Sequence, residues 1–217
     1  MTATKICDVR DRSIAASCAG YGVALIGLHC IWQPPDGPKR QQIAEVLDAV
    51  RGGCKSVLVT RQTDISIVVA MSGFVAWDYL QLHALWTSKE VIALRRELNG
   101  LGRNPGLIGV VEASAAGKER AAELREAVDL LLFDSSIRGG TGARADSAEL
   151  REALSGAGDR PFIIAGGLNP ENVESVVREF RPWGVDVQSG VELPGGGRQK
   201  DVSLIRSFVE AVSRGSA

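Results

Sequence analysis

The 217-residue chain has only two histidines, His29 and His83, four cysteines and 5% aromatic residues. Two histidines leave little from which to build an imidazole-based zinc site, and no metal is expected. The cysteines, Cys7, Cys18, Cys30 and Cys54, show no C-x-x-C spacing. Four free thiols are the expectation for an intracellular protein. Charge of one sign is also lacking. The net charge is -1, with basic and acidic residues interspersed and no basic tail, so no nucleic-acid partner is expected. No run approaches the roughly 18 apolar residues of a membrane span. The start, Met1 to Cys7, lacks a basic region followed by an apolar run and a cleavage site. No signal peptide is expected, and the expected location is cytoplasmic. With 45% hydrophobic and 24% charged residues, the chain is neither disordered nor too short to bury a large core without disulfides.

What is present is alternation. Strand-like runs end or lie at Lys5–Cys7, Val23–Ile31, Ser56–Thr60, Tyr79–Leu82, Leu107–Val111, Leu130–Phe133, Phe162–Ala165 and Val185–Val187. Several are almost wholly apolar, as parallel strands covered on both faces are. Between them lie amphipathic segments at Gln41–Val50, Ser88–Leu98, Arg120–Ala127, Glu171–Phe180 and Val202–Val212. Pro170 suits a first helical turn, and Ser88 a helix start. Eight such units over residues 1–217 predict one domain, a small α/β fold of the (β/α)8 TIM-barrel type. An open doubly wound sheet is the rival, but no G-x-G-x-x-G follows the first strand.

A barrel carries its chemistry at the carboxyl ends of its strands. There the sequence places Cys7-Asp8, Gln81-Leu82-His83, Asp134, Ala165-Gly166-Gly167-Leu168 and Gln188-Ser189-Gly190-Val191-Glu192. Glycines after the last two strands let backbone N–H groups approach an anion. Gly166, Gly167, Ser189 and Gly190 are therefore candidate phosphate ligands; the plainer reading is tight turns. Cys7 and Asp134 would face each other across the mouth, a thiolate base and a carboxylic acid. A cysteine at a strand end also reads as a buried small hydrophobe, and Asp134 as a loop carboxylate.

The chain resembles the phosphoribosylanthranilate isomerases. The matching stretches are Lys5-Ile6-Cys7, Gln81-Leu82-His83, Leu131-Leu132-Phe133-Asp134, Gly139-Gly140-Thr141-Gly142 and Ala165-Gly166-Gly167-Leu168-Asn169-Pro170-Glu171-Asn172-Val173. Gly184-Val185-Asp186-Val187, Ser189-Gly190-Val191-Glu192 and Lys200-Asp201 continue the match in order. The resemblance implies a TIM barrel performing an Amadori rearrangement without a cofactor, with a small-molecule phosphoribosyl substrate, in tryptophan biosynthesis. It implies that Cys7 is the general base and Asp134 the general acid.

The departures are as informative. Where the family has glycine after the cysteine, this chain has Asp8. A carboxylate pointing inward there would raise the thiol pKa. The family's carboxylate-gripping arginine after the second strand falls on Asp36, leaving Arg40 or Lys39 as the aglycone anchor, beside His83. Ala84 replaces a glycine, and Ala145 lies near a missing aromatic residue. Trp32 and Trp86 lie near the altered loops; packing is the plainer reading of each, stacking on a ring the sharper one. Three readings stay open: the tryptophan-pathway isomerase, a paralogue acting on another phosphoribosyl-amine, and a non-catalytic phosphate-binding barrel. No helix face reads as a dimer seam, so a monomer is expected.

Overall fold

The computed structural model describes residues 1–135 and 146–217. Eight strands form a closed parallel barrel in sequence order. They are β1 (Ala3–Ile6), β2 (Leu25–His29), β3 (Lys55–Thr60), β4 (Tyr79–Leu82), β5 (Gly106–Glu112), β6 (Leu130–Asp134), β7 (Phe162–Ile164) and β8 (Gly184–Val187). The intervening helices are α1 (Arg12–Gly20), α2 (Gly37–Ala49), α3 (Ile65–Met71), α4 (Ser88–Gly100), α5 (Gly117–Leu124), α6 (Ser147–Ser155), α7 (Val173–Phe180) and α8 (Val202–Gly215). A short 3-10 turn, Ser189–Val191, follows β8. The barrel expectation is met, and the open-sheet rival is excluded by the pairing of β1 with β8.

Alternation along each strand sorts side chains into two cores. Leu25, Val57, Val59, Ile108, Val110, Leu130, Leu132 and Ile163 fill the barrel interior. Their neighbours on the other strand face, such as Ile6, Leu58 and Phe133, pack outward against helical Leu94, Ile205 and Phe208. The strands run apolar because both faces are covered. Trp86 is 1% exposed and belongs to this outer core, whereas Trp32 is 62% exposed.

The helix starts explain elements that periodicity left unassigned. Asp11, Asp36, Asp64, Asp146 and Asp201 cap α1, α2, α3, α6 and α8, each carboxylate accepting from backbone N–H groups of the first turn. Such caps satisfy donors that have no intrahelical partner. Helices α1, α3 and α6 span nine, seven and nine residues, and each begins at one of these aspartates. Other boundaries shift: β2 is shorter than Val23–Ile31, α5 begins and ends earlier than Arg120–Ala127, and α7 starts at Val173 rather than Glu171. No helix among the described residues is long and apolar enough to cross a membrane.

Candidate active site

Strand β1 turns alternate residues inward, so Lys5 and the following Cys7 stand one above the other inside the barrel. Gly27 on β2 leaves room for both. A Cβ there would lie 2.9 Å from Cys7 Sγ and 3.1 Å from Lys5 Nζ. Lys5 Nζ donates to Asp186 Oδ2 of β8 at 2.8 Å in a buried ion pair. Burial alone would lower the Lys5 pKa, but Asp186 and Cys7 outweigh it and hold the ammonium above its ordinary value.

Cys7 is 5% exposed. Burial pushes its thiol up to about 11, against the pull of the Lys5 ammonium. Asp8, beside it, does not point at the sulfur. Its backbone is left-handed, with φ 58°, and its carboxylate accepts from Arg10 Nε at 2.9 Å and Arg10 Nη2 at 2.7 Å. The inward carboxylate considered from the sequence is thus turned aside, and the raised thiol pKa has burial as its main cause. On β2, two residues beyond Gly27, His29 brings Nε2 to 3.3 Å from Cys7 Sγ.

Above these residues opens a cavity of about 320 Å³ whose lining includes Cys7, His83, Asp134, Gly166, Gly167 and Ser189. Asp134 ends β6, half-buried. The closed strand order sets β7 and β8 between β6 and β1. So the two candidate acid–base groups and the two glycine loops meet at one mouth. The loop residues Arg138, Gly139, Gly140, Thr141, Gly142 and Ala145 lie outside the described residues.

The two glycine loops are built against one another. Gly166 and Gly167 have φ of 88° and 64°, a region that favours glycine. Asn172 Nδ2 donates to Gly167 O at 2.9 Å, and its Oδ1 accepts from Asn169 N at 2.9 Å. Gly190 is pressed against the β7 loop, where a Cβ would fall 1.9 Å from Leu168 O. Lys200 Nζ, buried, donates to Gln188 O at 2.7 Å and Glu192 Oε1 at 3.0 Å, tying down the turn that carries Ser189 and Gly190. Asp201 then caps α8.

Arg40 is not among the cavity-lining residues. It lies in the first turns of α2, donates to Pro35 O at 2.9 Å and sits 5.8 Å above the Phe74 ring. Asp36 is committed to the helix, accepting from Lys39 N at 2.9 Å, and Lys39 Nζ is on Gln42 Oε1 at 2.8 Å. Among the described residues, the arginines that line the cavity are Arg61, just beyond β3, and Arg198. Sequence reading missed Arg61, Lys5, Asp186 and His29. Their signal was a polar residue two positions from an inward-facing one, on a strand otherwise apolar.

The family model for N-(5'-phosphoribosyl)anthranilate isomerase matches residues 6–211. The chain belongs to that isomerase family. It is 35% identical over 217 residues to the N-(5'-phosphoribosyl)anthranilate isomerase of Haloferax volcanii, covering 97% of this chain and 93% of the relative. The enzyme of that name from Rubrobacter xylanophilus is 31% identical, with 97% and 98% covered. Among solved structures, the phosphoribosylanthranilate isomerase of Thermus thermophilus superposes with a TM-score of 0.78 at 23% identity, covering 98% of each chain. Another phosphoribosylanthranilate isomerase, in complex with reduced 1-(o-carboxyphenylamino)-1-deoxyribulose 5-phosphate, gives a TM-score of 0.75 at 24% identity, with 98% and 99% covered. The same barrel is found in a 3-hexulose-6-phosphate synthase, at TM-score 0.66 and 14% identity, with 98% and 100% covered.

Proposed function

We propose that this isomerase converts N-(5-phosphoribosyl)anthranilate to 1-(2-carboxyphenylamino)-1-deoxyribulose 5-phosphate, with Cys7 and Asp134 as its base and acid. The observation that carries the reading is the shared cavity: thiol, carboxyl group and both glycine loops line one mouth. The phosphate is held by backbone N–H groups of Gly166, Gly167, Ser189 and Gly190, which the left-handed glycines and the Lys200 tether preset. Asp134, protonated, donates to the furanose ring oxygen, and the ring opens to a protonated Schiff base. Cys7 as thiolate takes the C2′ proton, giving an enolamine that tautomerises to the ketone. Asp134 must start protonated, half-buried at the rim, and Cys7 must lose its proton before it acts, a step that the Lys5 ammonium favours and burial opposes.

The aromatic acid lies on the far side of the mouth from the phosphate. Strand β3 stands opposite β7 in the closed order, and Arg61 beyond it lines the cavity. Arg61 therefore takes the anthranilate carboxylate, in place of Arg40, with His83 beside the ring. The test is a fluorescence assay on phosphoribosylanthranilate with wild type, Asp134→Asn, Arg61→Gln and Arg40→Gln. Asp134→Asn should lose on the order of 100-fold or more in kcat. Arg61→Gln should raise KM, and Arg40→Gln should leave both constants unchanged. A folded wild type without turnover would point to another phosphoribosyl-amine or to a non-catalytic barrel.

A further inference from the structure

We infer that His29 and Asp8 form, with Cys7, a proton relay in which His29 accepts the thiol proton and Asp8 fixes the imidazole tautomer. The inference rests on Cys7 being the base of the proposed reaction, and it assigns two positioning residues to it. The geometry is a line of three groups. Cys7 Sγ lies 3.3 Å from His29 Nε2, and His29 Nδ1 lies 3.6 Å from Asp8 Oδ1. His29 sits at the end of β2 and lines the cavity. Asp8 is 1% exposed and its carboxylate accepts from Arg10 at 2.9 and 2.7 Å, so at 3.6 Å it acts on His29 as a nearby charge rather than through a hydrogen bond.

The tautomer follows from the neighbours. Burial would raise the Asp8 pKa, but Arg10 and His29 hold it below the ordinary carboxylate value. Asp8 is therefore an acceptor only, and the nitrogen facing it carries the hydrogen. That leaves the Nε2 lone pair facing the sulfur, so the S–H donates. This arrangement follows the logic of nucleophile–imidazole–carboxylate triads, applied here to a base that abstracts a proton from carbon.

The relay answers a difficulty in the thiol itself. Burial holds Cys7 as a thiol at neutral pH and keeps His29 neutral, the imidazole lowered to about 4. Separately each group resists charging, so the relay depends on the attraction between thiolate and imidazolium 3.3 Å apart in a poorly solvated site. Moving the thiol proton to Nε2 creates thiolate and imidazolium together, with no change of net charge in the cavity and with Asp8 beside the imidazolium. The thiolate then takes the C2′ proton and returns to S–H. The imidazolium proton leaves to solvent, and Asp134 regains the proton it gave to the ring oxygen, so the cycle balances. The titratable and charged groups around the pair are Lys5, Asp8, Arg10 and His83 about His29, and Lys5, Asp186 and Lys200 about Cys7, with Arg198 3.8 Å from Asp8. Lys5 favours the thiolate and disfavours the imidazolium; Asp8 favours the imidazolium.

The test measures the thiol directly, without any substrate. Wild type, His29→Gln, Asp8→Asn and Asp8→Gly are treated with iodoacetamide across pH 6 to 12. Alkylation at Cys7 is followed by peptide mass spectrometry, which separates it from Cys18, Cys30 and Cys54. At pH 7 wild-type Cys7 should react about tenfold faster or more than in His29→Gln, with the rates converging once the thiol ionises unaided. Asp8→Asn should also slow it, because an amide can donate to Nδ1 and reverse the tautomer. Superimposed rate–pH curves for wild type and both folded Asp8 variants would overturn the relay. If His29→Gln does not fold, the two Asp8 variants decide. In the isomerase assay the same variants should lower kcat and leave KM nearly unchanged. A relay seen by alkylation in a protein with no isomerase turnover would sink the proposed reaction and leave the relay standing.

Discussion

Asp8 adopts a left-handed backbone, φ 58°, at the position where the family has glycine. That conformation favours glycine, and aspartate is one of the few side-chained residues that tolerates it. What this chain gains is a buried carboxylate beside His29. The burial of His29 has a thermodynamic signature. His29 titrates at about 4 in the folded protein, lowered from 6.5 chiefly by burial, with Asp8 opposing the shift. As pH falls, the unfolded chain therefore takes up this proton first. The stability tied to neutral His29 is whole above about pH 6.5 and is lost as pH falls toward 4. It amounts to roughly 3 kcal/mol. Urea unfolding of wild type and His29→Gln at pH 7, 5.5 and 4 should show the wild type losing about that much more over the range. Equal losses in both proteins would mean that His29 is not buried neutral.

At the scale of elements, the two glycine loops depend on contact between neighbours rather than on either loop alone. Gly190 meets Leu168 O so closely that a methyl group there would fall 1.9 Å from it. That obstacle is backbone, so relief requires the two loops to part. Gly190→Ala should raise KM by tenfold or more, roughly the effect of one lost N–H contact to an anion. The fold should remain two-state in urea. An unchanged KM in a folded variant would separate the phosphate from this turn. The aspartate caps belong to the same scale. Asp36 stands where the resemblance puts a substrate-binding arginine, yet its carboxylate is used on Lys39 N at the start of α2. The loop after β2 is a helix start, and the cationic role proposed for Arg61 rests on β3, the next strand of the barrel, bringing that residue to the cavity.

For the whole molecule, closure is the decisive step. The first strand pairs with the last across more than 180 residues, Ala3 with Gly184 and Ile6 with Val187. Lys5 and Asp186 join the same two strands by a buried ion pair at 2.8 Å. Lys5→Met should cost about 3–5 kcal/mol in urea unfolding, because Asp186 is left buried and unpaired. Adding Asp186→Leu should recover much of that loss, since an apolar pair carries no desolvation penalty. A single Lys5→Met variant as stable as wild type would show that the pair contributes nothing to closure.

Much of this was legible in the sequence. Apolar runs alternating with amphipathic segments specified the barrel, because each strand must be covered on both faces. The strand-end positions of Cys7, Asp134 and the glycine pairs followed from that topology, because a barrel gathers the ends of distant strands at one mouth. Other features depended on tertiary structure. Whether Asp8 faced the thiol was set by a single backbone angle, and whether Arg40 reached the cavity was set by its place on α2. The nearness of His29 to Cys7 and of Lys5 to Asp186 depends on the pairing of β1 with β2 and with β8. Local sequence determines which face of a strand a side chain takes, because the period of two is local. Which side chains meet across that face is determined by strand order and register, which exist only once the barrel has closed.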